Sequence, residues 1–96
     1  MEQQKQQEIK ISIPPHLVGG VYCNLMRVSH TKEEFIMDFV VVHESVGALT
    51  SRVIMSPGHM KRTVAALQEN IKRYESNIAP IQEAPPPEGK LGFQPQ

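Results

Sequence analysis

The sequence predicts an α+β fold in which a four-stranded antiparallel sheet is followed by one C-terminal amphipathic helix. Strand-like hydrophobic patterns occupy most of residues 8–55, and the connections between them are short. Short connections favour hairpins, because parallel strands need long crossovers. From residue 57 the pattern changes to an apolar stripe with helical spacing, which places the helix last.

The strand predictions rest on hydrophobic alternation and on turn residues. The predicted strands are residues 8–13, 21–30, 35–43 and 49–55. The first alternates strictly, with Ile9, Ile11 and Ile13 on one face, and Pro14-Pro15 ends it because proline donates no hydrogen bond to a ladder. The third is apolar on both faces, which is typical of a strand covered on two sides.

Two finer predictions concern the end of the sheet. A loop is predicted over residues 44–48, which include Gly47. In the strand that follows, we expect Leu49, Val53 and Met55 to share one face.

Ser56-Pro57 marks the start of the predicted helix. A serine side chain accepts a hydrogen bond from a free backbone N–H of the first turn, and proline fits the first helical position because its missing N–H would be unpaired anyway. The helix is expected to run to about Ser76. Its apolar seam, spaced alternately by four and three residues, comprises Met60, Val64, Leu67, Ile71, Tyr74 and Ile78. Such a seam covers a sheet or pairs with a second copy of itself.

The predicted domain organisation is a flexible leader at residues 1–7, a single α+β domain at 8–79 and a Pro-rich flexible tail at 80–96. One helix covers only one face of a sheet, and the other face would remain apolar. Exposed apolar surface of that size drives association, so we predict a homodimer or a higher symmetric oligomer. The alternative is a monomer whose second face is covered by the tail.

Composition and charge exclude several classes of function. Ten basic residues balance ten acidic ones, which is not the electrostatic footprint of a general nucleic-acid binder. One cysteine excludes an intrachain disulfide. The first ten residues lack the apolar core of a signal peptide, and no apolar run approaches the roughly 20 residues that span a bilayer. A cytoplasmic protein without membrane contact is expected.

No catalytic, cofactor-binding or metal-ligating residues are predicted. The four histidines have no spacing that places two ligands on one helical turn. Cys23 is expected in the core, where burial makes a thiol unreactive. Asp38 lies on a hydrophobic strand and must be solvated or paired. A cross-strand ion pair with Arg27 or Arg52 is favoured over a ligand-binding or catalytic carboxylate.

The start of the helix offers two candidate binding surfaces. Free N–H groups at Ser56 and His59, with Lys61 and Arg62 one turn along, suit an anion. A basic stripe for nucleic acid would comprise Lys61, Arg62, Lys72 and Arg73. A Ser-Pro start with a purely structural role and a solvated polar face explain the same residues.

A set of short motifs resembles a known family. In order along the chain these are GVYCN at 20–24, VSHT at 28–31, EF at 34–35, DF at 38–39, RVIMSPGHMKR at 52–62, LQENI at 67–71 and YE at 74–75. Together they resemble a family of small prokaryotic proteins catalogued as a domain of unknown function, number thirty-four sixty-seven. The resemblance covers about residues 9–81 and implies no activity. The predicted element order is also similar to that of the export chaperone SecB, a likeness of fold alone.

The sequence therefore predicts a non-enzymatic oligomeric binding or scaffold protein, with a chaperone-like holdase as one form of it. Its expected partners are further copies of itself and another protein, with no cofactor and no small-molecule substrate. The alternative is a small nucleic-acid-associated protein that uses the basic residues of the helix.

Overall fold

A computed structural model describes residues 6–96. Within them the chain forms a short 3-10 helix at Pro15–Leu17, three strands and one long helix. The strands are β1 (Leu25–His30), β2 (Phe35–His43) and β3 (Val46–Met55), and the helix is α1 (Pro57–Asn77). The α+β class with an antiparallel sheet and a final helix is confirmed. Of the predicted leader, residues 1–5 lie outside the described residues.

The sheet has the order β1-β2-β3, with both pairings antiparallel. Alternation along the strands and their register divide the side chains between two faces. We call one the arginine face, comprising Leu25, Arg27, Ser29, Ile36, Asp38, Val40, Val42, Leu49, Arg52 and Ile54. We call the other the methionine face, comprising Met26, Val28, His30, Phe35, Met37, Phe39, Ser51, Val53 and Met55.

The predicted fourth strand is wrong for the part of the chain that the structure describes. Residues 8–13 form no strand, and Ile9 and Ile11 are each 81% exposed. Alternation specifies which side chains share a face, but it does not determine whether the segment pairs with a sheet edge. Both pairings of the sheet involve β2, so β1 and β3 are edges that no other described segment of this chain occupies.

The first edge strand starts later than predicted. Asn24 clamps the chain to β2: its side-chain amide donates to the carbonyl of Val42 and accepts from the N–H of Val42, both at 2.8 Å, and its own N–H donates to Val40. Regular pairing begins only at Leu25. Cys23 therefore precedes the strand and is exposed, so its predicted place in the core is wrong.

The connection between β2 and β3 is a two-residue turn, Glu44–Ser45, rather than the loop predicted over residues 44–48. His43 pairs directly with Val46 across it. Glu44 has a positive φ of 58°, the conformation that the first central residue of a primed hairpin turn adopts. Residues with a Cβ enter this region at an energetic cost, which glycine does not bear.

We expect Glu44→Gly to raise the free energy of unfolding by about 0.5–1 kcal/mol, because glycine relieves the positive φ. Urea denaturation followed by circular dichroism measures the change. Ser45→Gly is the matched control, because Ser45 has no positive φ. Glycine at this position should only add flexibility and lower the free energy of unfolding. Equal effects of the two substitutions would contradict the assignment of strain to Glu44.

A β-bulge at Thr50 corrects the predicted faces of the last strand. Phe39 pairs with Ser51 but Val40 pairs with Leu49, which leaves Thr50 as the extra residue. Its hydroxyl donates to the carbonyl of Phe39 at 3.0 Å. Because the bulge inserts one residue, Leu49 lies on the arginine face, whereas Val53 and Met55 lie on the methionine face.

The final helix begins at Pro57, as predicted, and ends at Asn77. Ser56 is its N-cap, with a side chain that accepts from the N–H of His59 at 3.2 Å. Its early turns approach the sheet: the hydroxyl of Thr63 lies 3.5 Å from the sulfur of Met55, on the methionine face. No residue of α1 is buried.

The described chain has a very small core. Among residues 6–96, Met37 and Val40 are the buried hydrophobic residues, and both lie on β2. The accessible surface is 9526 Å², whereas a compact monomer of this mass exposes about 5,500 Å². The radius of gyration is 17.7 Å, against about 13 Å for a compact domain of 100 residues. The single chain is therefore far from a close-packed globule.

Candidate functional site

The arginine face carries a buried carboxylate between two guanidinium groups. Arg27 on β1 and Arg52 on β3 pair in register with Asp38 on the central strand. Arg27 donates to one carboxylate oxygen at 2.7 Å. Arg52 makes two bonds, one to each oxygen, at 2.6 and 3.2 Å. The structure thus brings together the three residues that the sequence singles out as an ion-pair set.

The electrostatics of this cluster favour the charged carboxylate. The Asp38 side chain is 1% exposed, while those of Arg27 and Arg52 are 42% and 51% exposed. Hydrogen bonds from Arg52 and then from Arg27 lower the pKa of Asp38 from 3.8 to about 2, against the opposing effect of burial. The hydrogen bond with Asp38 in turn raises the pKa of Arg52.

This arrangement suits structure better than acid–base chemistry. A general base or acid works best with a pKa near the operating pH, and both oxygens of Asp38 are already bonded to arginine. Two guanidiniums and one carboxylate leave the cluster with one net positive charge. It fixes the register of all three strands, because a slip of one residue would move each partner to the other face.

The cluster makes the stability of the fold sensitive to acid. The pKa of Asp38 is about 2 in the folded chain, below its ordinary value of 3.8, so the unfolded chain binds a proton more readily. The resulting stabilisation is complete above about pH 5 and is lost as the pH falls from about 4 towards 2. We expect the difference in free energy of unfolding between the parent and Asp38→Asn to shrink over that interval. Urea denaturation at a series of pH values measures it, and a difference independent of pH would contradict the assignment to Asp38.

The tail contributes a contact that sequence reasoning missed. The ring of Phe93 lies over the guanidinium of Arg27, with the carbon Cζ 3.5 Å from the ring centroid. Cation–π stacking of this kind favours arginine over lysine because the guanidinium is planar. The aromatic residue in a Pro-rich tail and the half-exposed arginine on a strand are separate signals in the sequence, and nothing in their spacing joins them.

An open cavity of about 540 Å³ lies between the tail and the sheet. Its sheet side includes Leu25, Val40 and Leu49 of the arginine face, and its tail side includes Leu91 and Phe93. A second cavity of about 410 Å³ follows the tail past the end of the β2–β3 hairpin. The tail therefore lies across the arginine face, while α1 approaches the methionine face.

The candidate anion site at the start of α1 is engaged by its own residues. Ser56 accepts from the N–H of His59. The ring nitrogen Nδ1 of His59 accepts from Arg62, whose Nε and Nη2 atoms lie at 3.2 and 2.8 Å. Lys61, the fourth residue of this predicted set, is likewise exposed and lies one position before Arg62.

The predicted basic stripe is interrupted by acidic charge. Arg73 pairs with Glu69 one turn earlier at 3.3 Å. Residues eleven apart occupy nearly the same angle around a helix, so Lys61 and Lys72 lie along one side and Arg62 and Arg73 along another. The four basic residues thus lie in two rows rather than in one stripe.

The four histidines are distributed along the chain: His16 in the 3-10 helix, His30 and His43 at strand ends, and His59 in the first turn of α1. Among residues 6–96, no group of three or more His, Cys, Asp or Glu side chains is arranged to hold a metal ion. Nor does any helix in that range combine the length and apolar character that crossing a membrane requires.

A family model described as Protein of unknown function (DUF3467) matches residues 1–83. This match confirms the family that the sequence motifs indicate. No curated protein and no solved structure matches the chain. The likeness to SecB finds no support, since it depends on four strands and the described residues form three. The matched region contains the whole sheet and helix α1, and the chain is accordingly a member of the DUF3467 family.

Proposed function

We propose that this protein is a non-enzymatic, self-associating binding module whose apolar surfaces are completed by a second copy. The observation that carries the proposal is the small core of the single chain. Its accessible surface of 9526 Å² exceeds that of a compact monomer of the same mass by about 4,000 Å². Obligate homodimers bury about 2,000–5,000 Å² in total, so association supplies what the fold of one chain lacks.

The seam of α1 is the principal surface for association. Val64, Leu67, Ile71 and Tyr74 are all exposed, with Leu67 59% exposed, although they form one continuous apolar line. Their spacing alternates between three and four residues, which is the pattern that lets two helices pack side by side. Lys61 and Lys72 lie to one side of this line, so pairing of two seams leaves their charges in solvent.

The isoleucines of residues 8–13 offer a second surface of the same kind. Ile9, Ile11 and Ile13 alternate as in a strand and are exposed in the chain that the structure describes. Strands β1 and β3 are both unpaired at their outer edges within residues 6–96. An extended segment adds to such an edge through main-chain hydrogen bonds, and alternate side chains then supply specificity. Addition of this segment to the sheet of a second copy would cover the exposed isoleucines and pair an open sheet edge.

The solution mass of the full chain tests the proposal. Light scattering coupled to size exclusion should give a whole-number multiple, two or more, of the 10.8 kDa chain mass. The mass should stay constant on dilution into the low micromolar range. A chain that remains at its single mass at the highest soluble concentration would overturn self-association.

A chaperone-like role is one form of this proposal and has its own test. Exposed apolar surface on an assembled protein would bind unfolded chains with little sequence preference. At equimolar concentration the protein should then delay the aggregation of a heated client such as citrate synthase. Failure to do so with several clients would remove the holdase form and leave the scaffold form standing.

Nucleic-acid binding through α1 has weaker support. The ion pair of Arg73 with Glu69 and the hydrogen bonds of Arg62 to His59 engage two of the four basic residues locally. If this alternative holds, affinity for duplex DNA falls steeply with salt, and neutralising Lys61 and Lys72 reduces the slope. Affinity below detection at low salt would exclude it.

A further inference from the structure

The tail lies on the arginine face as a peptide ligand would lie in a groove. Phe93 stacks on Arg27 at 3.5 Å, and Leu91 lies on the same cavity as Leu25 and Leu49. Gly89, with a positive φ of 92°, forms the bend that precedes these two anchors. A conformation of that kind is accessible to glycine at little cost. The sequence of the tail is therefore suited to the bent path that it takes across the sheet.

The tail is nevertheless loosely seated. A cavity of about 540 Å³ remains between it and the sheet, and every residue from 84 to 96 is exposed. Atoms that line an unfilled space forgo dispersion contacts on that side. The stack of the Phe93 ring on the Arg27 guanidinium thus holds a segment that leaves part of the apolar groove beneath it unfilled.

The groove and its occupant also differ in their relation to the family. All the sheet residues that line the groove lie within residues 1–83, which the family model matches. Both anchors of the tail, Leu91 and Phe93, lie beyond the matched region. The groove thus lies within the matched region, whereas the anchors of the segment that occupies it lie outside that region.

We propose that the arginine face is a docking groove for an extended segment of another polypeptide, rich in Pro and Gly and bearing an aromatic residue that stacks on Arg27. The tail of this chain is its built-in competitor. The tail supplies the chemistry of the ligand: a flexible extended backbone, a leucine for the groove of Leu25 and Leu49, and a phenylalanine for the guanidinium. A segment tethered by a short linker competes at an effective concentration of about millimolar, so the groove opens only to ligands that displace it.

Binding of a tail peptide in trans tests the proposal on the full chain. The probe is a fluorescein-labelled peptide with the sequence of residues 84–96, and anisotropy reports its binding. We expect full-length Phe93→Ala to bind the peptide at least about tenfold more tightly than the parent does, since its own tail has lost the anchor and no longer competes at millimolar effective concentration. The same loss of tail docking should lower the free energy of unfolding of this variant by about 1.4 kcal/mol, the equivalent of tenfold competition, and urea denaturation checks that the sheet and helix still unfold cooperatively.

Two matched changes test the stacking contact. A peptide that carries the same Phe93→Ala substitution should bind the variant chain at least about tenfold more weakly than the parent peptide. Arg27→Lys, added to the Phe93→Ala chain, keeps the positive charge beside Asp38 but removes the flat guanidinium, and it should weaken binding of the parent peptide severalfold. Equal affinity of parent and Phe93→Ala chains, or affinity that ignores the phenylalanine of the peptide, would overturn the proposal. Leu67 and Ile71 do not line the groove, so the helix seam proposed for self-association lies apart from the contact under test.

Discussion

Replacing Asp38 with asparagine is expected to lower the melting temperature by on the order of 10 °C, since loss of one partner from a buried ion pair leaves the remaining charges uncompensated. The Asn amide presents a donor nitrogen where the arginines also donate, so at least one of the hydrogen bonds from Arg27 and Arg52 is lost. Both arginines are about half exposed and reach water. The loss of stability is therefore smaller than for an ion pair whose members are all buried. Differential scanning calorimetry at neutral pH and fixed protein concentration measures it.

The exposed ion pair of α1 provides the matched control. Glu69→Gln removes the carboxylate partner of Arg73, and both side chains of that pair are more than half exposed. Surface pairs of this type contribute little to stability, so the melting temperature should stay close to that of the parent.

A second check is a double-mutant cycle of Asp38→Asn with Arg52→Gln. The arginine substitution should matter far less when the carboxylate is already gone, and additive effects would contradict a direct coupling across the strands.

The elements of this fold that can be predicted from the sequence are those that local features specify. The helix start at Ser56-Pro57 follows from capping chemistry within four residues, and β2 follows from an apolar run that no other element type fits as well. Both agree with the structure at their predicted boundaries. The residues of the ion-pair set could be proposed from burial logic alone, because Asp38 on an apolar strand needs a cationic neighbour.

Features that depend on distant parts of the chain are harder to predict from the sequence. The bulge at Thr50 leaves no mark in the alternation of β3, so the face of Leu49 was predicted wrongly. The isoleucines of residues 8–13 satisfy a strand pattern, yet in the described chain that segment pairs with neither of the two open sheet edges. The stacking of Phe93 on Arg27 joins residues that are far apart in sequence. Each case is decided by pairing or packing across the fold, which hydrophobic periodicity does not encode.

The largest effect on assembly is expected from the double substitution Leu67→Glu, Ile71→Glu in the seam of α1. Full burial of one such side chain contributes about 1.5–3 kcal/mol, and in a symmetric pair each substitution acts twice. We therefore expect the dissociation constant of the assembly to rise at least about 1,000-fold, which corresponds to about 4 kcal/mol. Sedimentation equilibrium at several concentrations measures it directly, with circular dichroism to report the helix content of the same samples.

Ala65→Glu with Ser76→Glu is the matched control, because it adds the same two negative charges to α1 on the side away from the seam. Residues 65 and 76 are exposed, like those of the seam, so a general effect of charge on the helix would appear in both variants. Dissociation confined to the seam variant would identify the line from Val64 to Tyr74 as the interface. Retention of the parent mass by the seam variant would show instead that copies meet elsewhere. The exposed isoleucines of residues 8–13 and the two sheet edges left unpaired in the described chain would then become the surfaces on which association depends.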